Sequence, residues 1–109
     1  VNGKIIEINK NNLKETKIIN LNKFEKKGRS LGWCRGFQQL DDKNYVGFSR
    51  IRPTKFIENV KWLGNKLTNE VKLKKPTRLV CYNKNYSKIL KEINLEKLGI
   101  NWVFSILKY

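Results

Sequence analysis

Short apolar stretches alternate with polar turns along most of this chain. Ile-rich Lys4 to Asn9, the turn-forming Lys10-Asn11-Asn12 and then Lys14 to Leu21 predict a β-hairpin. A polar connection from Asn22 to Ser30 follows. Trp33 to Leu40 and Tyr45 to Ile51, flanking the Asx-rich turn Asp41-Asp42-Lys43-Asn44, predict a second hairpin. Phe56, Val60, Leu63 and Leu67 then recur at helical spacing behind Thr54 as N-cap, so a helical insertion is expected over 54–76. Arg78 to Asn83 and Lys88 to Leu95 predict a third hairpin, and Trp102-Val103-Phe104-Ser105-Ile106 reads as one more apolar strand.

The first and third hairpins share a sequence. Lys4 to Phe24 aligns without a gap on Arg78 to Leu98, an offset of 74, with about nine of twenty-one positions identical. Asn9-Lys10-Asn11 falls on Asn83-Lys84-Asn85, and Ile19-Asn20-Leu21 falls on Ile93-Asn94-Leu95. Removing an insertion of about 25 residues leaves a unit of about 45 to 50, the size of a four-stranded propeller blade. Both strand faces are apolar in Ile5-Ile6 and in Leu79-Val80-Cys81-Tyr82, as stacked blades require. The expected fold is therefore all-β with one inserted helix, a β-propeller-like repeat fragment. Residues 1–24 form half a blade, 31–98 one blade carrying the insertion, and 100–109 the first strand of the next, with Trp102 in the place of Trp33. The alternative is a small two-layer α+β domain whose helix at Phe56 covers one sheet face; it accounts for the helix but not for the repeat. One full unit, in a chain that opens on Val1, leads us to expect a segment of a longer protein completed by its remaining blades or by self-association.

The segment Gly32-Trp33-Cys34-Arg35-Gly36-Phe37, followed by Val46-Gly47-Phe48-Ser49-Arg50-Ile51-Arg52, resembles a bacterial group of uncharacterised β-propeller-like proteins. In these a G-x-x-R-G strand precedes V-G-x-S-x-x-R by about ten residues. The resemblance is specific over about twenty residues and extends more loosely to the Trp102 strand. It implies a fold and no activity.

The net charge of +15 and pI near 10 raise a nucleic-acid reading, since clustered cations neutralise phosphates. Lysines are instead scattered along the chain, and abundant Lys, Asn and Ile without any Ala is the footprint of an AT-rich genome. Nucleic-acid binding is thus kept as the alternative function. Cys34 and Cys81 sit in apolar strand patterns and read as reduced core residues. With no His and no cluster of Cys or carboxylates, neither a metal nor another cofactor is expected. No apolar run approaches the roughly 20 residues that span a bilayer, and Val1 to Lys10 has no signal-peptide core, so the expected compartment is the cytoplasm.

A turn spanning Asp41 to Asn44 pairs Leu40 with Tyr45 and, counting back, Phe37 with Phe48, Arg35 with Arg50 and Trp33 with Arg52, all on one face, whereas a three-residue loop would break this register. Two arginines facing each other call for a negative partner: Glu58, a carboxylate of another blade, or an external anionic small molecule. The expected anion- or ligand-binding residues are Arg35, Arg50, Arg52 and Ser49. Trp33, Phe37, Phe48, Trp62 and Trp102 are expected in the core. Without His or a convincing carboxylate pair, Ser49 and the cysteines have no partner for nucleophilic catalysis, and no catalytic residue is assigned. A non-catalytic scaffold or ligand-binding module is the expected function.

Overall fold

The computed structural model describes residues 3–26, 29–51 and 75–108. The inserted helix falls outside these except at Lys75 and Pro76, and Arg52, Glu58 and Trp62 lie outside them too. The described chain is all-β, with two antiparallel sheets and two short 3-10 turns, Leu21–Phe24 and Glu96–Leu98. Strands β1 (Lys4–Ile8) and β2 (Glu15–Asn20) form a two-stranded sheet. Strands β3 (Trp33–Leu40), β4 (Lys43–Ser49), β5 (Arg78–Asn83) and β6 (Ile89–Asn94) form a four-stranded sheet in chain order.

The two hairpins related in sequence pair alike. Lys4, Ile5 and Ile8 oppose Asn20, Ile19 and Glu15, while their counterparts in the repeat, Arg78, Leu79 and Tyr82, oppose Asn94, Ile93 and Ile89. The register slips at corresponding places, between Glu7 and Ile8 and between Cys81 and Tyr82. Both second strands end on an Asn whose side chain accepts from the backbone two positions on, Asn20 from Asn22 and Asn94 from Glu96, each at 3.0 Å. That local bond competes with the sheet ladder and turns the chain into a 3-10 turn. The backbone N–H of Leu21 donates to Gly3 at 2.8 Å, and that of Leu95 to Thr77 at 3.0 Å.

The β3–β4 connection departs from expectation. Asp41 and Asp42 both take positive φ, 45° and 60°, as a two-residue type I′ turn requires, and Asp tolerates this conformation better than most residues. Leu40 therefore pairs with Lys43 rather than Tyr45. Asn44 is in the strand and buried, its side-chain amide donating to the carbonyls of Asn83 (3.0 Å) and Lys84 (3.1 Å). A β-bulge follows, with Arg35 and Gly36 together facing Gly47 and Gly36 supplying a φ of +74°. Beyond it Cys34 pairs with Phe48 and Trp33 with Ser49.

Val46, Phe48, Val80 and Tyr82 share one face of the large sheet and form the core with Ile19, Leu21, Leu31 and Tyr86. Ile5, Phe24 and Ile89 pack at its margin, with Phe24 and Tyr82 ring centroids 5.3 Å apart. Fully burying an aliphatic or aromatic side chain of this size contributes about 1.5–3 kcal/mol. On the opposite face the segment from Asn101 crosses the sheet, with Val103 lying over Gly47. Residues 100–108 form no strand, contrary to expectation: the backbone of Asn101 and Val103 bonds to the hydroxyls of Thr77 and Ser49 rather than along a strand edge. Of the aromatics expected in the core, Phe48 is there, whereas Trp33, Phe37 and Trp102 are half-exposed. Cys81 is buried, but Cys34 is exposed. Trp33, Cys34 and Phe37 belong to β3, an edge of the sheet.

Burial pushes the Tyr86 hydroxyl up to about 12, with the charge of Glu7 adding to the effect, and raises Tyr82 well above the ordinary phenol range against the pull of Arg78. A phenol held neutral in the fold contributes stability that is complete below its unfolded pKa near 10 and is lost as pH rises through the folded value. Denaturant melts should therefore show stability falling between pH 10 and 12, and Tyr86→Phe should flatten that slope. An unchanged slope in the variant would assign it elsewhere.

Candidate functional site

The residues expected to bind an anion do not converge. The bulge and the shorter turn put Gly47, not Arg50, across from Arg35, and Arg50 lies beyond the end of β4. Arg35 is exposed beside the bulge. Arg50 Nη2 is 2.6 Å from Glu96 Oε2, so the negative partner comes from the 3-10 turn after β6. Ser49 is fully buried, and its hydroxyl is committed to the backbone of Val103, donating to the carbonyl at 3.3 Å and accepting from the N–H at 3.0 Å.

These contacts belong to a polar junction where four segments meet. The Thr77 hydroxyl accepts from the Arg50 backbone N–H at 3.1 Å and donates to the Asn101 carbonyl at 2.9 Å. The Thr77 backbone N–H donates to Glu96 Oε1 at 2.9 Å. Glu96 thus holds Arg50 with one oxygen and the start of β5 with the other. The junction pins the end of β4 and the C-terminal segment to the β5–β6 hairpin. Both hydroxyls and the carboxylate are thus engaged with internal partners.

A second charged cluster lies under the core face, and sequence reading missed it. Arg78 is 1% exposed; its Nη1 donates to the Leu31 carbonyl at 2.9 Å, and its guanidinium carbon sits 4.7 Å from the Phe48 ring centroid. Nε is 3.3 Å from Glu92 Oε1 and Nη2 is 3.7 Å from Glu25 Oε1, but neither has hydrogen-bond alignment. Lys75 Nζ reaches the same Glu25 oxygen at 2.6 Å and Glu92 Oε2 at 3.8 Å. Desolvation lowers the pKa of Arg78, while Glu92 and Glu25 oppose the shift. Two cations and two carboxylates balance here, a bracing network between the Leu21–Phe24 turn, β5 and β6. The only hint in the sequence is that Arg78 and Glu92 fall on one face of a hairpin whose register the first hairpin repeats.

Cys34, though exposed as a residue, has its thiol pKa raised by partial burial, the direction opposite to activation. Cys81 lines a shallow groove of about 390 Å³ with Tyr45, Leu79 and Ile93, flanked by Lys43 and Lys91. Among the described residues no three His, Cys, Asp or Glu side chains cluster as metal ligands, and no helix is long and apolar enough to cross a membrane. No family model, no curated protein and no solved structure matches this chain.

Proposed function

We propose that this chain is a non-catalytic segment of a β-propeller-like protein, a unit that builds a sheet scaffold rather than carrying a reaction. The observation that supports this reading is the matched register of β1–β2 and β5–β6 across the repeat, down to the slip and the Asn-capped 3-10 turn. Two hairpins with one design, one of them seated on a four-stranded sheet, are what successive units of a repetitive fold look like. The commitment of Ser49, Arg50 and Thr77 to internal partners argues in the same direction. The nucleic-acid alternative gains little: Phe37 pairs with Val46 and Trp33 with Ser49, so they lie on opposite sheet faces and form no common stacking platform.

A unit of this kind, isolated, leaves edge strands and an apolar face uncovered. Sedimentation of the purified chain should show association that grows with concentration, and its thermal transition should be broad. A monodisperse monomer with one sharp cooperative melt would replace this reading with a self-sufficient small domain.

A further inference from the structure

We infer that the partly exposed surface of Leu79, Ile93, Leu95 and Leu98 is a docking face for a second four-stranded antiparallel sheet built like β3–β6. The inference rests on the repeat reading above and extends an interface the fold already contains by one unit. Moved back by the repeat offset, these four positions become Ile5, Ile19, Leu21 and Phe24, the side chains that the first hairpin sets against Val46, Phe48, Val80 and Tyr82. The orientation agrees as well as the sequence. Ile5 pairs with Ile19, and Leu79 pairs with Ile93. Within β5 the Leu79 side chain points away from the face that carries Val80 and Tyr82, so the second hairpin turns its equivalent surface outward.

The exposures differ as an unfilled copy of that interface requires. Ile19 and Leu21 are buried and Phe24 is partly covered by Tyr82, whereas Leu98, the counterpart of Phe24, is 66% exposed. Leu79 and Leu95 line an open groove of about 460 Å³ whose other wall is the C-terminal segment from Ile100 to Leu107, so a docked sheet would pack beside that segment. Ile100 precedes Trp102 by two positions, as buried Leu31 precedes Trp33. The occupant is defined chemically by the face the first hairpin already covers: β-branched and aromatic side chains on alternate positions of central strands. Lysine-rich partners do not fit it, because the four side chains at its centre are uncharged.

The test is a hairpin exchange within the full chain, with residues 4–24 replaced by a copy of 78–98, which leaves the length and Glu25 unchanged. Docking through this face predicts that the exchanged chain keeps the parent far-ultraviolet circular dichroism and loses less than about 10 °C of melting temperature. Aspartate at the transplanted copies of Leu95 and Leu98 should then abolish the folded signal, while Leu98→Asp at the original site should leave the parent melt unchanged. An exchanged chain that does not fold, or one indifferent to the two aspartates, overturns the inference. Either result is independent of the sedimentation of the parent chain, so failure of the docking face and failure of the repeat reading are told apart.

Discussion

Replacing Arg78 with methionine is expected to lower the unfolding free energy by about 2–4 kcal/mol, because it strips a buried carboxylate of one of its two cations. The Glu25 side chain is only 6% exposed, so its charge has little water to fall back on. Lys75 at 2.6 Å remains and keeps the loss below that of a fully orphaned ion. Glu92, 37% exposed, can rehydrate. Methionine preserves the apolar volume over Phe48 but forfeits the cation–π contact and the donation to the Leu31 carbonyl. Arg78→Lys should not rescue, since an ammonium cannot span Leu31, Glu25 and Glu92 at once as the guanidinium fork does. The discriminating variant combines Arg78→Met with Glu25→Gln. Removing both charges should recover part of the loss, and a urea midpoint equal to the sum of the single changes would show that the two groups do not interact.

Gly47→Ala should cost about 1–3 kcal/mol, the range for forcing a methyl into a filled space. A Cβ at this position would lie 2.4 Å from Val103 Cγ1 and 2.5 Å from the Arg35 carbonyl oxygen. The first neighbour belongs to a segment that can lift away; the second is backbone held in the bulge. Lifting the segment would break both bonds between Ser49 and Val103, so Trp102 fluorescence should shift toward that of a solvated indole. Adding Val103→Ala should restore only part of the stability, because the carbonyl contact stays. Full restoration would place the entire conflict with Val103 and none with the bulge.

The small scale of the fold was legible in the residues. Alternation and Asx turns located all three hairpins, and the repeat offset anticipated which two would pair alike, because hairpin register follows local turn chemistry and strand length. The β3–β4 register was not legible. The stretch from Asp41 to Asn44 offers four turn-forming residues, and choosing the first two depends on Asp41 and Asp42 taking positive φ while Asn44 is buried against the carbonyls of Asn83 and Lys84. The bulge at Arg35-Gly36 then shifts the pairing again, so the expected opposition of Arg35 and Arg50 disappears.

Burial was the other quantity withheld from a local reading. The strand Leu79-Val80-Cys81-Tyr82 is apolar on both faces and carries no mark of which face the first hairpin covers. That choice makes Val80 and Tyr82 core and leaves Leu79 half-covered. Arg78 shows the limit most clearly. By itself it reads as a surface cation at the head of a strand. It becomes a buried brace only where Glu25, from beyond the first hairpin, and Glu92, from the neighbouring strand, are brought around it. The residues by themselves located the strands of the three hairpins, though not the absence of one at Trp102, and showed that two of these hairpins share a sequence, since both follow from neighbours close along the chain. Tertiary structure decided which arginine is buried, which aromatic faces water and which carboxylate holds which cation, because each of these depends on the sum of desolvation and contacts from segments that meet only after folding.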